Sequence, residues 1–578
     1  MIATSVNVPF EMSFRVGDTA SAATREVDVT FAGPGGEARV PAFWAGENVF
    51  RVRYAPSAAG AYTWALDAGD GEVLSGPLGG EFDVVDYSGD NPLYRHGRLR
   101  ASASRRTLEH ADGTPFFWLG DTWWAALSPR LHWPDGFREL TADRVAKGFN
   151  VVQLVAGAMP LFFGPDAAWH PQQANEGGWP WEPGWERLNP AFYDAADRRI
   201  EHLVERGIVP CILAMWGLYL PQMGVERVKR HWRNLIARYA AYPVVLCLCG
   251  EADIAVDVAD FDEQKAGWTE VGRYVRELDP FHNVLTVHPG HPESRTVIDD
   301  ESVLDLNILQ TAHWGFHTPS PELLEVTRTR LRLDEPPRFG LAGSIEALVR
   351  ALDRQPTMPT LNAEPSYEGH WGSNWQEVQR FQFWASVLSG AAGHTYGAVG
   401  LWNMSSATEP WAPLGSYAGD GVWQQQGSGT WQEAMHWPGG RQVAMGRGFF
   451  ERYRWWEFEP LLRDEAERVG RRWSFAAGIP GEVLVCYLGA LAFDVELQGL
   501  VAVDLWEHRP TTIPLDGSGR AYYFDPRNGA DIDLGDVRPD AAGRWAVPRK
   551  PTDEDWVLVV EMGSGGKPIA AKTEGDES

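Results

Sequence analysis

The chain has little cysteine, fewer basic than acidic side chains and no long apolar run. Four cysteines in 578 residues are too few for a disulfide framework. We interpret Cys211, Cys247, Cys249 and Cys486 as buried core thiols. Cys247 and Cys249 alternate with leucines on one predicted strand and therefore face the same side, which leaves a metal pair as the alternative.

The shortage of basic residues restricts the partners that the chain can have. Its 51 basic and 78 acidic residues give a net charge of −27, which repels phosphate backbones and anionic lipid. No apolar run approaches the ~18 residues of a membrane span, and residues 1–6 lack the basic and apolar regions of a signal peptide. The sequence therefore predicts a soluble, cytoplasmic protein without nucleic-acid or membrane partners. Acidic sugars are disfavoured at long range unless a local basic pocket attracts them, and homo-oligomer formation is left open.

Tryptophan, in contrast, is abundant, with 28 residues. Indole faces stack on the C–H faces of sugar rings and suit half-wet sites. Loop filling is the alternative for any single tryptophan, but their clustering favours sugar binding. Many lie in predicted loops: Trp123, Trp124, Trp169, Trp179, Trp181, Trp185, Trp314, Trp371, Trp375, Trp402 and Trp411.

The order of short strands and helices predicts four parts. Residues 1–90 contain alternating strands at about ten-residue spacing, which is typical of a β-sandwich. Residues 91–460 alternate strands with amphipathic helices and predict a (β/α)8 barrel. Residues 461–562 return to strands and predict a second β-sandwich, and residues 563–578 predict a disordered tail. The fold class is thus an α/β multidomain protein with a central (β/α)8 TIM barrel flanked by an N-terminal and a C-terminal β-sandwich.

The eight predicted barrel strands are Phe116–Leu119, Val151–Val155, Val209–Met215, Val244–Leu248, Val284–His288, Leu304–Gln310, Thr357–Ala363 and His394–Leu401. Residues 311–355 are longer than one helix requires and predict an inserted loop or extra helix.

Two of these strands end on a glutamate. Glu251 follows strand 4 and Glu364 follows strand 7. A carboxylate at the end of an apolar strand is costly unless it has a partner or a function. Barrel chemistry lies at the carboxyl ends of the strands, and glycoside cleavage needs one protonated and one ionised carboxyl group. The pair therefore predicts the acid/base and the nucleophile of a glycosidase.

Polar and aromatic residues follow the other strands and are candidate substrate-binding groups. They are Asp121, Trp123, Trp124, Trp181, His288, His291, His313, Trp314, Tyr367, His370 and Trp402. For Asp121 a helix N-cap is the alternative. The spacing of His288 and His291 permits a metal, but Pro289 and Gly290 argue against the helix that would bring the two together. We expect no metal and no cofactor.

Three segments carry a family resemblance. Phe116–Trp124 resembles the first-strand signature of the apiosidase-like glycoside hydrolases, Asn362–Gly369 resembles their seventh-strand nucleophile motif, and Gly390–Gly397 resembles their eighth strand. The resemblance implies a retaining mechanism with carboxylates on strands 4 and 7. The family's fourth strand ends in Gly-Gly-Asp, whereas this chain has Cys249-Gly250-Glu251, and Gly250 replaces the Asn of the wider clan that contacts the sugar 2-hydroxyl. Apiose is therefore not carried over as the substrate.

The expected function is a retaining, exo-acting glycoside hydrolase that releases a terminal sugar, such as a pentofuranose or a related neutral sugar, from an oligosaccharide or glycoside. Glu364 is the predicted nucleophile and Glu251 the acid/base, with Asp253 as the alternative acid/base. Their carboxyl groups should lie about 5 Å apart. The loops after strands 2 and 8 should wall a pocket in which Trp181 or Trp402 stacks on the terminal sugar. The alternatives are a carbohydrate-binding protein with a degenerate barrel and a metal-dependent hydrolase that uses His288, His291 and His313.

Overall fold

The structure is a computed structural model. It describes residues 3–17, 22–67, 73–75, 77–159, 167–253, 260–290, 292–311, 313, 340–372, 374–410, 429–461, 474–489, 492–494, 499–501, 512–515 and 517–562. The predicted disordered tail at 563–578 lies outside these residues.

The N-terminal part consists of two β-sheets. Its strands are β1 (Ala3–Ser5), β2 (Phe10–Val16), β3 (Asp28–Gly33), β4 (Gly36–Pro41), β5 (Phe43–Trp44), β6 (Val49–Tyr54), β7 (Gly60–Asp67), β8 (Val73–Ser75) and β9 (Gly79–Val85). One sheet has the order β1-β9-β7-β3-β4 and the other β5-β6-β2-β8. Phe14, Phe31 and Phe82 belong to one buried cluster to which both sheets contribute. Strands β2 and β9 were not predicted from the sequence.

The central part begins with α1 (Pro92–His96) and a small antiparallel sheet of β10 (Leu99–Ala101), β11 (Leu108–His110) and β12 (Pro115–Phe116). Eight strands follow: β13 (Trp118–Thr122), β14 (Val151–Val155), β15 (Val209–Leu213), β16 (Val245–Cys247), β17 (Leu285–Thr286), β18 (Asn307–Gln310), β19 (Thr360–Glu364) and β20 (Gly393–Tyr396). The intervening helices are α2 (Asp135–Lys147), α3 (Pro190–Glu205), α4 (Leu220–Met223), α5 (Val225–Tyr239), α6 (Phe261–Leu278), α7 (Gly340–Asp353) and α8 (Gln376–Leu388), and α9 (Trp431–Ala434) and α10 (Pro438–Phe450) follow β20.

The eight strands run parallel in two sheets, one with the order β17-β16-β15-β14-β13-β20 and one that pairs β18 with β19. Backbone hydrogen bonds bridge both gaps between the sheets. Asp305 N–H donates to Leu285 O at 2.9 Å, and Ala392 N–H donates to Thr360 O at 2.9 Å. The two sheets are therefore neighbours at both edges, and the carboxyl ends of all eight strands point the same way.

Local sequence explains these elements. All five residues of β14 are buried, as expected for a parallel strand covered on both faces. Helix α3 begins at Pro190, and the Asn189 side chain caps it by accepting a hydrogen bond from Ala191 N–H at 3.1 Å. Its buried stripe includes Phe192, Ile200 and Leu203, which repeat at helical spacing.

The C-terminal part is a six-stranded antiparallel sheet with two small two-stranded sheets. Its strands are β21 (Glu459–Pro460), β22 (Ser474–Ile479), β23 (Val483–Leu488), β24 (Ala492–Asp494), β25 (Gly499–Val501), β26 (Thr512–Pro514), β27 (Gly519–Phe524), β28 (Asp531–Val537), β29 (Arg544–Ala546) and β30 (Trp556–Met562). The large sheet has the order β21-β22-β23-β30-β27-β28, and β24 pairs with β25 and β26 with β29.

Buried ion pairs fasten both flanking parts to the centre. Arg53 of β6 donates to Asp197 of α3 at 2.6 Å, and Arg238 of α5 donates to the same oxygen at 2.8 Å. Arg380 of α8 makes two 2.7 Å hydrogen bonds to Asp555 near β30. Removing one partner of such a pair leaves an uncompensated buried charge, so these contacts fix the geometry between the parts.

All four cysteines are buried and free, in agreement with the core-thiol interpretation. Among the described residues, no helix is both long and apolar enough to cross a membrane.

Candidate active site

Glu251 and Glu364 lie at the carboxyl ends of β16 and β19. Glu364 is the last residue of its strand, whereas Glu251 lies four residues beyond Cys247. Hydrogen bonds from Gly250 N–H to Met215 O and from Gly217 N–H to Gly250 O, at 2.9 and 2.6 Å, continue the pairing past the end of β16. Glu251 then adopts a left-handed backbone conformation with φ +45°. This conformation is uncommon for a residue other than glycine and occurs preferentially at functional sites.

Two N–H donors hold the Glu251 carboxyl group. Trp216 Nε1–H donates to Oε2 at 2.9 Å, and Gln310 Nε2–H donates to Oε1 at 2.8 Å. Burial and the neighbouring negative charge of Glu364 raise the pKa of Glu251 to about 7, although the two donors act in the opposite direction. Glu251 is therefore about half protonated at neutral pH and largely protonated at acidic pH.

Gly250 is necessary for this arrangement because the Trp216 indole occupies the space beside it. A Cβ at position 250 would lie 2.2 Å from the Trp216 ring, closer than any side chain allows. The indole thus fills the position that a larger residue would take, and it presents its N–H to the carboxyl group of the next residue.

Glu364 is almost completely buried and contacts two histidines. Nε2 of His313 lies 2.9 Å from Oε1, and Nε2 of His288 lies 3.1 Å from Oε2. The His288 contact lies outside hydrogen-bond angles and acts through proximity. Burial alone would raise the pKa of Glu364, but the contacts with His288 and His313 outweigh it and lower the pKa to about 2. Glu364 is therefore ionised across the neutral range.

The histidines are held by their own neighbours. Nδ1 of His313 lies 3.2 Å from Pro365 O, so both of its ring nitrogens face oxygen acceptors. Its ring packs against Tyr367 at 4.2 Å and against the edge of His370 at 4.9 Å. The predicted binding residues His370 and Tyr367 thus pack against the His313 ring and fix its position.

Aromatic rings form the base of the site. Trp124 Nε1–H donates to the Tyr367 hydroxyl at 3.2 Å, and the Trp124 ring meets the edges of Trp216 and His288 at 5.5 and 5.3 Å. Burial and the charge of Glu364 raise the pKa of Tyr367 well above its usual value. Tyr367 therefore remains neutral.

Asp253 occupies a different environment from Glu251. It is buried, and its Oδ1 accepts the backbone N–H of Gly290 at 2.5 Å. The carboxylate therefore joins the segment after β16 to the segment after β17, which favours a structural role.

The structure places Asp121 and Trp123 in the core. Oδ2 of Asp121 accepts hydrogen bonds from Arg144 Nε at 2.5 Å and from Trp123 Nε1 at 2.8 Å, and Oδ1 accepts Thr122 N–H at 2.9 Å. Asp121, Trp123 and Arg144 are fully buried. Both carboxylate oxygens are used by the protein, and this geometry favours a buried ion pair over either substrate binding or a helix cap.

The two tryptophans predicted to stack on sugar differ. Trp181 is only 2% exposed, donates to His231 Nδ1 at 2.7 Å and stacks on that ring, so its faces are not open to a ligand. Trp402 is half-buried and lies beyond β20 at the same end as the two glutamates. The predicted residues His291 and Trp314 lie outside the described part of the chain.

Trp216 and Gln310 were not predicted as site residues, although both lie at the carboxyl ends of predicted strands. Gln310 is the last residue of β18 and pairs across an irregularity with Glu364 on β19. Trp216 directly follows the predicted strand Val209–Met215. A search for polar and aromatic residues at every strand end would have selected both.

Within the described residues, no group of three or more His, Cys, Asp or Glu side chains is arranged to hold a metal ion. His288 and His313 both face Glu364, an arrangement suited to keeping a carboxylate ionised.

The chain is similar to known proteins in sequence family and in fold. A model of the apiosidase-like catalytic domain matches residues 102–457, and a model of a domain of unknown function, DUF5060, matches residues 8–69. No curated protein matches the chain. A putative glycoside hydrolase from Bacteroides vulgatus ATCC 8482 is 16% identical over 97% of this chain and 100% of its own, with a TM-score of 0.66. A structure described as a glycoside hydrolase is 19% identical over 83% of this chain and 100% of its own, with a TM-score of 0.62.

Proposed function

The chain belongs to the apiosidase-like family of glycoside hydrolase catalytic domains, and we propose that it is a retaining, exo-acting enzyme that releases a terminal sugar from an oligosaccharide or glycoside. The observation that carries the proposal is the contrast between two carboxyl groups at strand ends: two histidines contact Glu364, whereas the uncharged Trp216 and Gln310 donate to Glu251. The pKa of Glu364 is lowered to about 2, which keeps it ionised, and the pKa of Glu251 is raised to about 7. Two carboxyl groups whose environments separate their pKa values are the pair that general acid and nucleophile need.

In the first step, the Glu364 carboxylate attacks the anomeric carbon. Glu251 donates its proton to the glycosidic oxygen as the bond to the leaving group breaks. Both Glu251 oxygens already accept N–H groups, so the carboxyl plane is fixed and its O–H is directed by Trp216 and Gln310. The product is an ester between the sugar and Glu364.

In the second step, water replaces the leaving group. Forming the ester removes the negative charge of Glu364, which is one cause of the raised pKa of Glu251. The pKa of Glu251 therefore falls, and its carboxylate can take a proton from the attacking water. Hydrolysis of the ester then releases the sugar with its original anomeric configuration.

The neighbouring groups support these roles. His288 and His313 keep Glu364 ionised, and the neutral Tyr367 packs against His313 at 4.2 Å. Asp253 is the alternative acid/base. Because its carboxylate already accepts the Gly290 N–H, we assign the acid/base role to Glu251 instead.

Exo action rests on the loops beyond β14 and β20. In the described part of the first loop, Trp169 packs on Trp185 at 4.6 Å and meets the edge of Trp179 at 6.4 Å, so the loop carries its own aromatic core. Trp402 offers a half-buried ring beyond β20 and is the proposed stacking face for the terminal sugar.

We also infer that β13–β20 close into a (β/α)8 barrel and that the flanking sheets form β-sandwiches. The hydrogen bonds from Asp305 to Leu285 and from Ala392 to Thr360 support closure at both gaps.

A panel of aryl glycosides, pentofuranosides included, tests the proposed activity. We expect hydrolysis of at least one member by the wild type and none above background by Glu364→Gln. Early products from a long oligosaccharide should be a single terminal unit. Random internal fragments would contradict exo action, and binding of sugars without any turnover would favour a carbohydrate-binding protein instead.

A further inference from the structure

A second cavity lies outside the ring of β13–β20, between the N-terminal part and the helices. It is a partly open cleft of about 670 Å³ when the solvent at its mouth is included. One wall comes from the N-terminal part, at residues 23–26 and 42–44, and the other from residues 181–193 and helix α5. None of the residues that carry or contact the two catalytic glutamates lines it.

Two residues of the cavity lining carry a buried donor without a partner. Asn234 Nδ2 and Arg25 Nη1 are shielded from solvent, and neither has a hydrogen-bond acceptor among the described residues. Asn234 is only 7% exposed. Leaving a buried donor unpaired is unfavourable, so a ligand with acceptor oxygens would gain by satisfying both groups.

The cavity is also basic, which is unusual in a chain with a net charge of −27. Its lining includes Arg25, Arg187, Arg230 and Arg233 but only two carboxylates. Arg233 pairs with Glu26 and Asp28, and Arg187 pairs with Glu182. Arg25 and Arg230 form no salt bridge within the described residues, and they leave two guanidinium groups for an anion.

An aromatic surface completes the lining. Trp44 is half-buried, and its Nε1–H is already donated to Glu47 O at 2.8 Å, so the ring offers only its face. The Arg187 guanidinium lies over the ring at 5.5 Å and brings positive charge beside it. A ring face next to guanidinium groups and unpaired N–H donors suits a ligand with both C–H surface and a carboxylate.

We propose that this cavity is a second saccharide site and that it binds a sugar bearing a carboxylate, such as a uronic acid residue. Arg25, Arg230 and Asn234 would hold the carboxylate, and Trp44 would contact the sugar ring. The overall negative charge repels such a ligand at long range, so recognition depends on this local group of arginines. The site does not depend on the proposed activity.

Calorimetric titration with methyl β-D-glucuronide tests the proposal, with methyl β-D-glucoside as the matched neutral probe. Both titrations use the Glu364→Gln variant, which should not hydrolyse either probe. We expect saturable binding of the glucuronide alone. Arg230→Met should weaken binding by about tenfold or more, whereas Arg227→Met, an exposed arginine on the same helix outside the cavity, should leave it unchanged.

Asn234→Leu provides a second variant, which should also weaken binding, and Arg230→Met decides the outcome alone if that variant does not fold. The proposal is overturned by no saturable binding up to ~10 mM. It is equally overturned if both probes bind alike, or if Arg230→Met binds as tightly as Arg227→Met, because the ligand would then lie elsewhere or its carboxylate would not be recognised.

Discussion

Gln310 donates a hydrogen bond to Glu251 at 2.8 Å although its own strand pairs with that of Glu364. One residue thus joins the strand that carries Glu364 to the carboxyl group of Glu251. It stabilises the ionised form of Glu251, as Trp216 also does, while burial and the charge of Glu364 oppose ionisation. The protonation of Glu251 depends on a balance that single substitutions can change.

The first prediction concerns the pH profile of kcat/KM. Activity needs ionised Glu364 and protonated Glu251, so it should fall on the acid side near the Glu364 pKa of about 2 and on the alkaline side near the Glu251 pKa of about 7. Gln310→Leu removes a donor to the ionised form, so the alkaline limb should move upward by up to about one pH unit.

Two controls accompany this prediction. Trp216→Phe should move the alkaline limb in the same direction, because it removes the other donor. Gln442→Leu changes a buried glutamine that binds Arg380 far from the carboxyl groups, and the limb should not move. A downward shift in Gln310→Leu would show that the amide favours the protonated carboxyl group instead.

The second prediction separates Glu251 from Asp253. Glu251→Ala should lose about 10²–10⁴-fold in activity on a substrate with a poor leaving group and much less on an activated aryl glycoside. Azide should restore its activity on the activated substrate. Azide should not restore the activity of Asp253→Ala. This variant should instead have a lower free energy of unfolding, because it loses the hydrogen bond from Gly290 N–H. Rescue at 253 without rescue at 251 would transfer the acid/base role.

The third prediction compares two tryptophans. Trp402→Ala should raise KM by roughly fivefold to tenfold through loss of about 1 kcal/mol of stacking, with little change in the melting temperature. Trp181→Ala should instead destabilise the protein by about 3–5 kcal/mol, because the buried ring bonds and stacks on His231. Steady-state kinetics and thermal unfolding distinguish them, and the reverse pattern would place Trp181 in the sugar site.

The fourth prediction concerns Glu368, which is buried between the Tyr396 hydroxyl and Gly439 N–H at 2.6 and 3.0 Å. Burial raises its pKa to about 7 despite these two donors. The folded state then binds this proton more tightly than the unfolded state, so the free energy of unfolding should fall as the pH rises from about 4.5 to 7, by up to ~3 kcal/mol.

Glu368→Gln mimics the protonated group and should flatten this dependence in urea unfolding measured at several pH values. Glu251→Gln removes a second carboxyl group whose pKa is raised to about 7, and it should flatten the dependence separately. An unchanged slope in Glu368→Gln would show that Glu368 is ionised in the folded protein.

Much of the fold could be predicted because buried parallel strands are short apolar runs with a distinct composition. The prediction for Val151–Val155 is confirmed residue for residue. The predicted His394–Leu401 ends at Tyr396 instead, because the chain turns after it toward Trp402. Strands β2 and β9 were not predicted, although both alternate as half-buried strands do: Phe10, Met12, Phe14 and Val16 alternate with polar residues in β2, and Phe82 and Val84 do so in β9.

The site was harder to predict because its chemistry depends on contacts between distant segments. Strand-end position identified Glu251, Glu364 and His313 as candidates. It could not show that Gln310 reaches Glu251 across 59 positions of the sequence. Nor could composition distinguish the buried Trp181 from the half-buried Trp402, because both follow barrel strands in tryptophan-rich segments.

The stereochemistry of hydrolysis tests the central assignment most directly. Proton NMR during the first minutes of hydrolysis of a reactive aryl glycoside reports the anomeric configuration of the released sugar before it mutarotates. With Glu364 as nucleophile and Glu251 as acid/base, the first product must have the same configuration as the substrate. A first product of the opposite configuration would mean that water attacks directly, and it would contradict the covalent role assigned to Glu364.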